Sequence, residues 1–296
     1  MKTYKSLLVI GTLFLSTHLS AHSLWINSFE SFVHKPGHTT VGLGWGHVTP
    51  IDDILNSPNG KIIVEKFIIT SPDEATTKLR IPSNKVQEPT QKNKNFDIYA
   101  ADIGLQKIAL KEGSQKGVYK IEAQSKPTFY TQYINTKGQT RLKLTSKDKI
   151  NDIKKVLMSV KFQAFATSYL TLGKAWEQPK ELGKGLELIP LTDLSHVRVG
   201  DLVRFKVLFY GKPLNVSAKS MDYISASSNT FGQNDGFALM SYVKDGIAQF
   251  RVQSAGQWIV TCNHKDTVNK EGKLKNLFGK VNYVFNSASL TFNVKE

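Results

Sequence analysis

Short segments rich in β-branched and aromatic residues recur along most of this chain with turn-forming pairs between them, a rhythm that restricts it to an all-β architecture. The strand signal falls on Lys61 to Ile69, Gly117 to Ala123, Val156 to Ala166, Leu202 to Phe209, Ala248 to Val252, Trp258 to His264 and Val281 to Val294. Between them, Pro36-Gly37, Asn59-Gly60, Lys137-Gly138, Tyr210-Gly211, Asp245-Gly246 and Ala255-Gly256 suit the sharp reversals and positive backbone angles of hairpins. Antiparallel pairing is the expected consequence. The clearest alternation sets Val203, Phe205, Val207 and Phe209 against Arg204, Lys206 and Leu208, as on a half-buried sandwich strand. Helical spacing is confined to Asp148 to Leu157, where β-branched residues compete with it.

The chain opens with Lys2 and Lys5, an apolar run from Leu7 to Leu15 and a polar stretch closing at Leu19-Ser20-Ala21, the anatomy of a secretory signal peptide spanning residues 1–21. Its apolar core is roughly ten residues, short of the roughly 20 a membrane-spanning helix needs. The mature protein is therefore expected to be periplasmic or secreted. A lipid anchor would need a cysteine at the cut, whereas the only cysteine is Cys262, within an expected strand. One cysteine also excludes an internal disulfide framework and every multi-cysteine metal site.

Cleavage leaves about 275 residues, enough for two cores. Pro179, Gly183 and Gly185 interrupt the strand pattern before Leu186-Glu187-Leu188-Ile189-Pro190-Leu191. The expected division is a β-rich domain over 22–183 and an immunoglobulin-like sandwich over 184–296, without the cysteine pair of antibody domains. The formal charge of +15 falls to +13 once Lys2 and Lys5 leave, with a denser basic patch at Lys147, Lys149, Lys154 and Lys155. Export and the lack of regular aromatic interleaving argue against nucleic acid, leaving solubility and a weak pull toward anionic surfaces.

The chemistry-bearing residues are histidines. A cut after Ala21 makes His22 the first residue, and its α-amine and imidazole Nδ1 can then close a chelate ring on one metal ion. His47 ends Gly42-Leu43-Gly44-Trp45-Gly46-His47, where the glycines allow close backbone approach and the tryptophan can wall a pocket. His264 shares a strand face with Trp258, Val260 and Cys262 by two-residue periodicity. His34 and His38 flank Lys35-Pro36-Gly37, where facing one ion and decorating a polar hairpin tip are both open. Asp52-Asp53 read as a solvated loop, because neighbours on a strand point to opposite faces. No nucleophile elbow, phosphate loop, dinucleotide fingerprint or zinc-peptidase helix motif is present. No catalytic residue is expected.

Ala21-His22-Ser23-Leu24-Trp25, Gly46-His47, Leu186 to Leu191, Gly211-Lys212-Pro213-Leu214 and Gly256-Gln257-Trp258 followed by His264 together resemble the DUF4198 family. The resemblance implies a periplasmic component of nickel or cobalt uptake, related to the nickel transport subunit, working beside membrane importer subunits. It carries the family's histidines onto His22, His47 and His264 as metal ligands. Ser23 and Leu24 stand where the family often has an acidic residue and an aromatic. Nickel or cobalt is implied by the family, while imidazole and amine donors also suit copper or zinc. Two other readings stay open: a copper brace built on the terminal histidine, and a metal-free exported scaffold or interaction module.

Overall fold

The computed structural model describes residues 22–30, 37–56, 62–85, 87–173, 176–217, 220, 222–232 and 238–296. The signal segment, His34 and the Asn59-Gly60 turn lie outside them. The chain is all-β, with two single-turn 3-10 helices among the described residues, at Lys147–Lys149 and Lys275–Leu277. Among the described residues no helix is long and apolar enough to cross a membrane.

A ten-stranded central sheet organises the molecule. Its main path joins β16 (Leu239–Tyr242), β15 (Tyr223–Ser228), β18 (Gly256–Thr267), β19 (Tyr283–Val294), β11 (Ile153–Leu172), β8 (Gly117–Ser125), β3 (Val64–Thr70) and β4 (Thr76–Lys78). The hairpin of β9 (Thr128–Asn135) and β10 (Thr140–Lys143) branches from β11. One face is covered by a sheet of β1 (Ser23–Ser28), β2 (His38–Gly46) and β7 (Gln106–Ala109). The other face is covered by β12 (Leu186–Pro190), β13 (Leu202–Phe209), β14 (Lys212–Pro213) and β17 (Ile247–Arg251). A small ladder of β5 (Gln91–Lys92) and β6 (Asp97–Ile98) stands apart.

The alternation along β11 and β19 explains both layers. Cross-strand neighbours share a face, so Phe165 with Ala288 and Thr167 with Leu290 look toward one cover, while Ala164 with Ser287 and Ala166 with Ser289 look toward the other. Two cores result. One gathers Val203, Phe205, Val207, Trp258, Val260, Leu290 and Phe292. The second gathers Leu24, Ile26, Val41, Leu43, Phe67, Ile121, Ala164 and Ala166. The expected division after 183 falls between β11 and β12. Neither the core nor the sheet breaks there: Tyr169 of β11 belongs to the core built mainly from residues after 183, and β11 and β19 are hydrogen-bonded side by side.

That β11–β19 pairing is parallel, against the expectation of antiparallel pairing throughout. The chain leaves β11, builds the core around Val203, Phe205 and Trp258 and returns along the same direction, as a crossover requires. Elsewhere the ladders are antiparallel, and two expected turns appear as reversals with both central residues at positive φ, Tyr210-Gly211 and Asp245-Gly246. The weak helical spacing near Asp148 yields a single 3-10 turn before β11 begins.

β1 is an edge strand, and its outward carbonyls rest on polar side chains of the central sheet. Ser289 Oγ donates to Leu24 O at 2.6 Å, Thr291 Oγ1 to Ile26 O at 2.5 Å and Asn293 Nδ2 to Ser28 O at 2.8 Å. This explains why an internal strand carries a row of buried Ser289 and Thr291 and half-buried Asn293: each satisfies a carbonyl that has no strand partner.

Candidate functional site

The beginning of β1 and the end of β2 form one rim of the covering sheet. Their register pairs Ser23 with Gly46 and Leu24 with Trp45. Continued by one residue, it sets His22 against His47. The two imidazole rings lie with centroids 4.4 Å apart and tilted by 40°, and the His22 ring also stacks on Trp45 at 5.2 Å. Both histidines remain open to solvent, with side chains 31% and 39% exposed.

The loop after β2 brings two carboxylates to the same place. Trp25 Nε1 and Asn27 Nδ2 donate to Pro50 O at 3.1 and 2.6 Å, tying the loop across β1. Asp53 N donates to Trp45 O at 3.0 Å, folding the loop back along the strand end. Asp52 Oδ2 then accepts from His47 N at 2.8 Å and lies 3.3 Å from His47 Nδ1. Asp53 Oδ2 lies 3.6 Å from His22 Nε2. The pair expected merely to solvate a loop flanks both histidines, because it lies in a folded-back loop and not on a regular strand.

Two glycines permit this geometry. A Cβ on Gly44 would sit 2.0 Å from Trp25 Nε1, so the indole can lie across β2 only where that position has no side chain. A Cβ on Gly46 would fall 2.7 Å from Asp52 Oδ2, and its φ of +128° is one that L side chains rarely adopt. The close approach expected from the glycine-rich stretch is made by Trp25 and Asp52.

His264 lies elsewhere. It pairs with Asn286, whereas the neighbouring Asn263 pairs with Ser287 and Thr261 with Ser289 on the face that carries β1. His264 therefore looks to the opposite face of the central sheet from His22 and His47. There it is buried, with Nδ1 2.7 Å from Asp222 Oδ1 and its ring 4.5 Å from that of Phe209. Ser220 Oγ donates to the second Asp222 oxygen at 2.7 Å. Burial, and then the Asp222 charge, push the nearby Cys262 thiol up to about 12. His38 opens β2, nine residues before His47, which places the two roughly 30 Å apart at strand rise. Of the expected ligand set, the structure brings together His22 and His47, adds Asp52 and Asp53, and leaves His264 and His38 apart.

Among the described residues, no three His, Cys, Asp or Glu side chains stand as a closed metal-ligand group. The rim offers two imidazoles and two carboxylates in facing pairs. An α-amine freed at His22 would be a further donor, of the nitrogen type that completes an imidazole set for a divalent transition ion.

No curated protein matches the chain. Among solved structures it is similar to murine CEACAM1b, at 10% identity and a TM-score of 0.20 over 92% of this chain and 100% of that one. It is also similar to a DUF3823 family protein from Bacteroides uniformis, at 11% identity and a TM-score of 0.24 over 92% and 99%. Neither likeness carries a structural argument. The sequence pattern described as a domain of unknown function, DUF4198, matches residues 19–266, most of the chain. The protein belongs to the DUF4198 family.

Proposed function

We propose that this is an exported, non-enzymatic protein that captures a divalent transition metal, nickel or cobalt, at its mature N-terminus and passes it to membrane importer subunits. The observation that carries the reading is the placing of His22 directly against His47, with Asp52 and Asp53 beside them. Cleavage after Ala21 would put a free amine on the residue whose ring already faces a second imidazole. Half-exposed ligands at a rim suit a carrier, which must release its cargo as well as bind it. Asp52, contacting both the backbone and the ring of His47, would fix the orientation of that imidazole.

The test is a calorimetric nickel titration of protein beginning at His22. His22→Ala and His47→Ala are each expected to weaken binding by at least about tenfold, as is acetylation of the N-terminal amine. Unchanged affinity in all three would sink the reading. His264→Ala should leave affinity unaltered, since its ring lies on the other face of the central sheet.

A second reading is favoured by the same pair, because a terminal histidine facing another imidazole is also the donor set of a copper brace. Copper-loaded protein that produces peroxide in the presence of a reductant would move the assignment there. Copper binding without such production keeps it with metal carriage.

A further inference from the structure

The 3-10 turn after β10 and the start of β11 carry the basic patch noted in the sequence, beside apolar side chains of β10 and β11 that the fold does not cover. Across the three strands, Leu142, Gln132 and Met158 form one row, while Arg141, Tyr133 and Val156 form the next row on the other face. The Tyr133 face is closed: Tyr133 is fully buried, and Thr131 Oγ1 donates to Thr145 O in the segment folded over it. The Leu142 face is open. Leu142 is 61% exposed, Leu144 just beyond β10 is 71% exposed, and Leu157 at the β11 bulge is 45% exposed.

Single exposed leucines are ordinary, but three at one hairpin corner call for an explanation. Their surroundings supply it. Residues 137–157 hold seven basic and two acidic side chains. Lys143 reaches Asp152, and Lys147 donates to Asn282. Lys137, Arg141, Lys149, Lys154 and Lys155 are exposed and have no carboxylate partner among the described residues. An exposed apolar cluster on a branch of the sheet, with Lys155 opposite Ile134 on the same face and further exposed lysines close by in the chain, matches an anionic bilayer surface: the leucines reach the acyl boundary while the long basic chains meet headgroup phosphates. A second copy of this chain is a poor occupant, since docking like on like would bring two strongly positive surfaces together.

We propose that the β9–β10 hairpin corner is a membrane-surface dock for anionic phospholipid, holding the protein peripherally on a bilayer. The dock does not depend on the metal reading. It lies on a different element, and its test contains no metal.

Protein beginning at His22 is sedimented with vesicles of phosphatidylglycerol and phosphatidylcholine in equal parts, and with phosphatidylcholine alone. Binding is expected only to the anionic vesicles and should be lost near 1 M salt, where the screening length is about 3 Å. Reversing Lys149, Lys154 and Lys155 to Glu should cut partitioning by at least about tenfold, as should Leu142→Ser with Leu144→Ser. Leu144→Cys carrying an environment-sensitive dye checks the contact without removing the patch, because the native Cys262 is buried. Its emission should shift to the blue on anionic vesicles.

Equal binding to both vesicle types, no binding, or serine variants that bind like the parent would overturn the proposal. So would a dye shift that appears without vesicles as protein concentration rises, which would make the corner a self-association face.

Discussion

Two histidine–aspartate arrangements lie on opposite faces of one sheet and show opposite design. His264 and Asp222 are buried, with Ser220 on the second carboxylate oxygen and Phe209 against the ring. His22 and His47 stand at an open rim, with a carboxylate beside each. The closed pair has its hydrogen-bonding capacity directed inward, which suits holding β15 against β18. The open set keeps lone pairs within reach of solvent, which is what a ligand-binding site requires. Histidine beside aspartate therefore says little by itself. Burial and the number of satisfied atoms decide which role the pair serves.

The two arrangements should differ most in what their loss does to stability. His264→Ala would leave the Asp222 carboxylate buried without its imidazole, and should lower unfolding free energy by about 3 kcal/mol or more in denaturant melts. His47→Ala, at an exposed rim, should stay within about 0.5 kcal/mol of the parent. Equal losses in the two variants would mean that both pairs serve the same structural role.

Two glycines sharpen that contrast. Gly44→Ala would drive a Cβ into the Trp25 ring and should cost about 1–3 kcal/mol by overpacking. Gly46→Ala meets the Asp52 side chain and should displace it from His47, costing about tenfold in nickel affinity, or about 1.4 kcal/mol. Retained affinity in that variant would remove Asp52 from the site.

The smallest expected effect concerns the closed side. The Cys262 thiol is held up to about 12 by burial and Asp222, so as pH rises the unfolded chain ionises first while the folded protein keeps its proton. Its stabilising contribution is complete below about pH 9 and is lost as pH rises toward about 12, with roughly 1 kcal/mol of it gone by about pH 10. Cys262→Ala should flatten that part of the alkaline stability profile. An unchanged profile would mean that the thiol is not held neutral against the Asp222 side of the core.

Much of the architecture was legible in the sequence, and the misses have physical causes. Leu202–Phe209 was read to its ends, because apolar residues alternate cleanly with charged ones and one face is buried. β11 runs from Ile153 to Leu172, well beyond Val156 to Ala166, because it is covered on different faces along its length and never shows one simple alternation. β1 and β2 gave no strand signal: β1 is buried on both faces and so shows no alternation, and β2 carries three glycines that lower strand propensity while making room for Trp25 and Asp52. Without those strands no register could set His22 against His47. His264 was placed on the correct strand face, but a face alone does not say which cover lies above it. Asp52 and Asp53 were hidden by reasoning that holds on strands and fails in a loop tied back by Pro50 O and Trp45 O.

The row of Ser289, Thr291 and Asn293 beneath β1 has a consequence for the order of assembly. Leu24 and Ser289 stand 265 positions apart along the chain, so the shelf that receives the first strand is supplied by the last one. Closing so distant a contact comes late in folding. A chain whose last strand has not yet folded would carry His22 loose, and a molecule truncated before β19 would have no shelf to seat β1. The rim that sets His22 against His47 would then form only once β19 is in place beneath β1.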